Sequence, residues 1–484
     1  MKKFTLLGFL ILPAISFAQI YFGSTVAASQ GGSINATAEN WEAIEVNPAN
    51  LGWASNHSFS FSIANVGLNF ADNGLNLASN SIVGELKNID TQKVISPLQR
   101  TQMYNAVTAP GGLNISSTVT WAAFSFTIPK IGGFGISLTD KVYAHVQLSN
   151  NAARLLDDLT GVSDSATLLA AAHKDSALLR ETSAQIADGT NAGGYHYREL
   201  NIDFGRKLFS IPTHNTGRGG ASFENSEFLD TARNANLKYN DIQIFGGIGF
   251  KPIWGLGSYS SVVTGGENVE EGTYVYSNPN YGKDISGNIF TANGRGFGVD
   301  LGLSATFKDW TAGVSVTDIG KITWQNNSFQ PLVLKFPPLD SINYLLNNNG
   351  KLFNYFVSHN ESNTGGAPNY TTELPTQFRA GLSYKLTQLV TVSSDYVAPL
   401  NTVQGNLLNP YYAVGANINI FRWVGFGVGY ATEKGFGNLM PVGFFINVFY
   451  GFEVYAGTND LIAYLGNSNG HVLSGSAGIK IFGF

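Results

Sequence analysis

Between His57 and Ile63 the chain alternates strictly, with Ser58, Ser60 and Ser62 on one side and Phe59, Phe61 and Ile63 on the other. Successive side chains of a strand point to opposite faces, so this run presents an apolar face to one medium and a polar face to another. A soluble sandwich would satisfy the same pattern. Length narrows the choice: a membrane-crossing strand needs about 9–11 residues, and runs of that order recur along the chain.

The candidate strands after His57–Phe70 are Leu113–Ile128, Phe134–Gln147, Tyr195–Phe209, Tyr239–Lys251, Leu256–Thr264, Gly296–Phe307 and Trp310–Asp318. The last third adds Thr376–Leu386, Leu389–Val397, Tyr411–Ile420, Trp423–Ala431, Val442–Ala456 and Val472–Phe484. An even count brings both termini to one side of a bilayer. The expected fold class is therefore all-β: an antiparallel transmembrane β-barrel of about fourteen strands, with sixteen as the alternative. Gly272–Ser277 is a candidate extra hairpin arm.

Composition favours the barrel over the sandwich. Charged residues make up 13% of the chain, against about 25% in ordinary soluble domains. Mean hydropathy is only +0.01, too polar for a bundle of membrane helices, and past the N-terminus no uncharged apolar run of helix-spanning length occurs. Alternating lipid-facing and lumen-facing residues give such an average. With no Cys there are no disulfides, thiolate metal sites or Cys nucleophiles. The net charge of −5 and the lack of a Lys/Arg stripe speak against nucleic acid as a partner.

Residues 1–18 have the anatomy of a secretory signal: Lys2 and Lys3, an apolar run Phe4–Ile15, and Ser16-Phe17-Ala18 before Gln19. Cleavage is expected after Ala18, sending the chain to the bacterial outer membrane, with lipid and lipopolysaccharide as its surroundings. Residues 53–484 would form the barrel. Asn150–Asp188, with Leu155, Leu156, Leu159, Leu168 and Leu169 among polar residues, reads as a helix-containing loop, and Ser81–Ala106 reads so more weakly. Asn326–Asn369 is a long Asn- and Pro-rich connection. Long loops are expected on one side and tight turns on the other.

Nothing in the sequence points to catalysis. The seven His residues are dispersed and no His-Glu-x-x-His occurs. The glycine runs at 246, 247 and 249, at 294, 296 and 298, and at 425, 427 and 429 continue strand pattern through the glycines. Phosphate loops need a turn and a helix there, so these glycines read as wall curvature and close packing. Glu267, Glu270 and Glu271 are a candidate Ca²⁺ cluster, with solvated loop acids as the other reading. No cofactor is implied. In the terminal strand Ile481, Ile479, Ala477 and Leu473 share a face, while Phe484 and Phe482 align with Lys480 and Gly478. Either the register shifts at Gly483, or the two Phe belong to an aromatic girdle.

Ahead of the first strand, Ala36-Thr37-Ala38-Glu39-Asn40-Trp41-Glu42-Ala43-Ile44 runs into Asn47-Pro48-Ala49-Asn50-Leu51. This resembles the N-terminal signature of the long-chain fatty-acid transporter (FadL-type) barrels and of the PorV-type barrels of type IX secretion. Val316–Trp324 and Leu374–Leu382 look like inter-strand segments of an uncharacterised outer-membrane family near PorV. The transporter resemblance implies fourteen strands and an N-terminal hatch inside the barrel, here residues 19–52. It further implies passive admission or holding of hydrophobic small molecules. Phe22, Val26, Ile34, Trp41, Ile44 and Leu51 then either line a ligand pocket or pack the hatch into the wall. Asn47 and Pro48 would fix the turn into the first strand. The PorV resemblance implies instead a non-conducting scaffold that docks secretion-system proteins through its long loops.

Overall fold

The computed structural model describes residues 26–72, 101, 104–105, 107–108, 112–154, 188–213, 241–262, 273–277, 292–325, 327–332, 365–367, 369–421, 423–433, 437–449, 451–465 and 472–482. The expected signal peptide, Phe22, Phe484, the three loop glutamates and most of the loops 81–106 and 150–188 lie outside these residues. What is described of those loops is helical, at 101, 104–105 and 150–154.

Among the described residues nineteen strands run in chain order as β1 (Phe59–Asp72), β2 (Leu113–Ile128), β3 (Gly132–Gln147), β4 (Asn191–Ile211), β5 (Ile242–Val262), β6 (Thr273–Ser277) and β7 (Gly294–Phe307). There follow β8 (Trp310–Trp324), β9 (Asn327–Leu332), β10 (Gly365–Ala367), β11 (Tyr370–Glu373), β12 (Gln377–Lys385) and β13 (Val390–Pro399). The last are β14 (Tyr411–Phe421), β15 (Val424–Glu433), β16 (Gly437–Leu439), β17 (Val442–Phe449), β18 (Phe452–Thr458) and β19 (Val472–Phe482).

Fourteen of them form a closed antiparallel wall, each pairing with its neighbour and β19 returning to β1. β11 extends the line of β12 along β8, and β16 that of β17 along β15. β6, β9 and β10 make a ribbon that prolongs the wall beyond β5. Closure removes the unpaired edges that an open sheet would expose.

The count agrees with the expected fourteen, but through two compensating differences. Tyr239–Lys251 and Leu256–Thr264 are one strand, β5, which passes straight through Pro252. The proline is tolerated because the ladder with β4 is interrupted there, stepping from Ile253 opposite Glu199 to Phe250 opposite Ile202. Conversely Val442–Ala456 is two strands, β17 and β18, joined by a tight turn in which Gly451 has φ +85°. Only glycine enters that region without strain.

The wall is apolar outside and polar inside, the inverse of a soluble protein. On β4, Tyr197, Glu199, Asn201 and Asp203 are buried in the lumen while Ile202 is exposed. On β14, Tyr411 and Ala413 are buried and Tyr412 and Val414 exposed. Ile248, Phe250, Leu301 and Leu303 continue the exposed apolar band. Such a band around a closed wall has one stable environment, the hydrocarbon of a bilayer, and the chain is an outer-membrane-type barrel. The C-terminal strand obeys the alternation to its end: Lys480 points inward, Ile479 and Ile481 lie on the other face, and Phe482 rests on the His57 ring at 4.8 Å. β19 keeps one register against β18, and its ladder with β1 shifts once, at the bulge between Ile63 and Val66.

Both described ends of the wall, Phe59 and Phe482, lie at one rim, here the termini rim. The connections 129–131, 308–309 and 386–389 turn tightly there, and the strand ends flanking 422–423 and 450–451 meet there as well. The strand ends that flank 73–112, 148–190, 263–293 and 400–410 lie at the opposite, loop rim. β4 ends at Ile211 and β5 begins at Ile242 at the termini rim, so these two strand ends, 31 positions apart, depart from the tight turns expected on that side.

Candidate functional site

Residues 26–53 are not part of the wall. They form three short 3-10 helices, η1 (Ala28–Gln30), η2 (Asn40–Ala43) and η3 (Pro48–Gly52), almost wholly buried. The segment touches strands all around the circumference, which places it inside the lumen. Ser60 of β1 accepts from the Trp41 amide, Ser383 of β12 donates to the Ala36 carbonyl, and Trp53 donates to Ser304 of β7.

Local chemistry explains its lower half. Asn47 caps η3, its side-chain oxygen accepting from the Ala49 amide at 3.2 Å, and Pro48 takes the first helical position, where its fixed φ suits the helix and no amide is missed. The Asn47 amide also donates to the Leu303 carbonyl of β7 at 3.2 Å. Glycines of three strands open the bay for this turn: a methyl group on Gly205 or Gly247 would strike the Pro48 backbone, and one on Gly302 the Asn47 side chain. These glycines, two of them outside the runs singled out above, serve close backbone approach.

Charge also fixes the segment to the wall. Lys141 of β3 lies 3.0 Å from Glu45, 2.7 Å from Glu199 of β4 and 3.8 Å from Asp318 of β8. Lys251 of β5 joins the network, 2.9 Å from Asp300 and 2.6 Å from Asp318. Lys480 pairs with Glu42 and with Glu453. Asp395 of β13 accepts from the Ile34 and Asn35 amides at 2.8 and 2.9 Å. Glu45 and Asp318 both sit at positive φ, +64° and +59°, where non-glycine residues are strained. The bulge that carries Asp318 turns its carboxylate toward both lysines, at the step from Ile319 opposite Val299 to Val316 opposite Leu301.

Of the sequence-derived site residues, Val26, Trp41 and Ile44 come together with Ala123, Tyr455 and Phe445 of the wall. Ile34 packs with Ala27, Ala38 and Val46 within the segment, and Leu51 lies against Gly133. Sequence reasoning missed Glu42, Glu45, Lys141, Asp395 and Lys480. Their signal was available: a lone charge inside a strand pattern is costly in a membrane unless it faces the interior with a partner.

Toward the loop rim the lumen changes character. Tyr197, Ile253, Ile322, Trp324 and Leu374 form one buried cluster, with Tyr195 and Tyr370 packed on it. Tyr143, Tyr195 and Tyr197 stand in a row with ring centroids 5.4 and 5.5 Å apart. The Trp324 indole donates to Thr372 at 2.9 Å. An amphipathic aromatic wall lies directly above the lysine network.

Over this wall passes the connection 400–410 between β13 and β14. Tyr195, from the far side of the barrel, donates its hydroxyl to the Gln404 carbonyl at 3.1 Å, while the Tyr143 hydroxyl is engaged with Asn114. Gly405 has φ +93° and no room for a Cβ beside the Tyr195 hydroxyl. At the root, Asn406 donates to the carbonyls of Thr376 and Asn401 and accepts from Gln377, while Leu407 is buried with Val397, Tyr411 and Leu439.

Residues 229–459 match the model of a family described as of unknown function (DUF5723). No curated protein matches the chain. Among solved structures the chain is similar to the toluene transporter TbuX of Ralstonia pickettii, at 11% identity over 95% of this chain and 98% of that one, with a TM-score of 0.46. It is also similar to the toluene transporter TodX of Pseudomonas putida, at 9% identity over 96% and 97% and a TM-score of 0.43. A FadL homologue of Pseudomonas aeruginosa gives 8% identity over 96% and 98% and a TM-score of 0.41.

Proposed function

We propose that the chain is an outer-membrane channel of FadL type that admits or holds hydrophobic small molecules, with residues 19–52 as its hatch. The observation that carries this reading is the buried aromatic wall of Tyr197, Ile253, Ile322, Trp324 and Leu374, set in the lumen beyond the inner segment. A pore for ions gains nothing from burying such a surface in its path, whereas an apolar solute is stabilised by it in proportion to the area removed from water. The inner segment blocks the termini half, so passage requires it to shift. The toluene transporters and the FadL homologue to which the chain is similar carry names of the same class.

The test has two arms. Purified barrel is extracted and its bound small molecules identified by mass spectrometry, and uptake of apolar solutes is compared between a deletion strain and the complemented strain. Co-purified apolar compounds and a slower uptake without the protein are expected. A barrel free of apolar ligand, together with unchanged uptake, would overturn the reading.

A further inference from the structure

We infer that the connection 400–410 is a hinged strap that gates the loop mouth of the lumen, latched by Tyr195 and rooted at Asn406. The inference rests on the proposed passage of solutes and adds its control point.

Three features of the strap argue for a moving part. First, it spans. Its root lies between β13 and β14 while its tip lies on the lumen-facing Tyr195 of β4, far around the wall. The residues between Pro399 and Gly405 cover such a gap because an extended chain advances about 3.3–3.6 Å per residue.

Second, root and tip are fastened differently. Asn406 and Asn401 tie the root to the β11–β12 corner, Asn401 donating to the Leu374 carbonyl at 2.8 Å, and Leu407 is buried. The tip is held by the Tyr195 hydroxyl on the Gln404 carbonyl, with no ion pair of its own among the described residues. A segment anchored by buried contacts at its root and by a hydrogen bond at its tip opens at the tip first. Such a bond is worth only about 0.5–1.5 kcal/mol net.

Third, the latch is continuous with the binding wall. Tyr195 packs on the cluster of Tyr197 and Trp324, and its ring lies 5.5 Å from Tyr197. A solute that displaces the Tyr195 ring must disturb the Gln404 contact, so the same side chain that meets the solute holds the strap. Gly405 is the one residue type that fits: its φ is left-handed and a Cβ would occupy the Tyr195 hydroxyl position.

The chain lacks cysteine, which makes thiol access a clean readout in the full-length barrel. A single probe, Ile253→Cys, places a thiol beneath the strap, and its labelling by a membrane-impermeant maleimide added to whole cells is timed. Adding Tyr195→Phe and Asn406→Ala is expected to speed labelling at least tenfold. In a separate variant Gly193→Cys and Gln404→Cys are joined to the probe. A Cβ at Gly193 would lie 2.9 Å from the Gln404 side-chain oxygen, so oxidation pins the strap to β4. Labelling of Ile253→Cys is then expected to fall at least tenfold and to recover on reduction. Heat-modifiable migration on gels checks that each variant is a folded barrel. Equal labelling rates in the folded latched, released and pinned forms would overturn the strap. If that happened while purified barrel still held an apolar compound, the solute reading would stand alone; gated labelling in a barrel that binds none would leave the strap without that cargo.

Discussion

The Lys141 ammonium of strand β3 lies 3.0 Å from the Glu45 carboxylate of the inner segment, and Glu45 reaches it from a left-handed backbone conformation. Because the pair is buried, the two charges have left water and depend on each other, on Glu199 and on the hydrogen bonds from Thr139 and Asn201 to Glu45.

Lys141→Ala should therefore destabilise the seating of the inner segment by about 3–5 kcal/mol, the usual cost of orphaning a buried charge. Lys141→Met combined with Glu45→Gln should cost less than Lys141→Ala alone. Limited proteolysis of the 26–52 segment in detergent micelles measures this. Equal protection in wild type and Lys141→Ala would show that packing alone seats the segment.

Asp395→Ala removes the acceptor shared by the Ile34 and Asn35 amides. Two buried donors would be left unpaired, at about 1–3 kcal/mol each. Hydrogen exchange should show both amides exchanging at least tenfold faster, with the wall strands unaffected; unchanged protection would contradict the assignment.

Gly205→Val should keep the barrel but expel η3, because the side chain would occupy the position of the Pro48 carbonyl. The wall would still migrate as folded on a gel, and single-channel recordings should show conductance steps missing in wild type. A closed channel would mean that the segment finds a second seat.

Leu301→Arg tests the membrane face. Leu301 is exposed on the outward side of β7, where an arginine near the bilayer midplane costs about 2–4 kcal/mol. Folding into lipid vesicles, followed by urea titration, should show that loss, and Val66→Arg on β1 should behave in the same way. An unchanged midpoint for both would place those side chains outside the hydrocarbon.

Trp324→Ala should weaken binding of an apolar solute about tenfold, equivalent to about 1.4 kcal/mol, in a titration of purified barrel with the compound found bound to it. An unchanged affinity would remove the aromatic wall from the site.

The wall was legible because period two survives every environment a strand meets. Phe59, Phe61 and Ile63 declare one face without reference to any neighbour. Boundaries were less legible. Pro252 looked like a break because a proline normally ends a ladder, and only the pairing of β4 shows that its missing amide is not needed. Gly451 looked like one more strand glycine, and only its φ marks a turn.

The site was legible in part. Asn47-Pro48 stood out because a cap and a proline at the first helical position are local chemistry. Glu45 and Lys141 did not, being 96 positions apart in numbering, and nothing in either neighbourhood names the other. Tyr195 and Gln404 are further apart still, 209 residues.

What the sequence by itself determined is the alternation, and with it a closed wall apolar outside and polar inside, because side-chain direction along a strand is a property of the backbone. What only the tertiary structure decided is which charges meet in the lumen and which loop bends across its mouth. Those contacts arise from barrel closure, which sets strands distant in the chain face to face across the lumen, and no local rule contains that geometry.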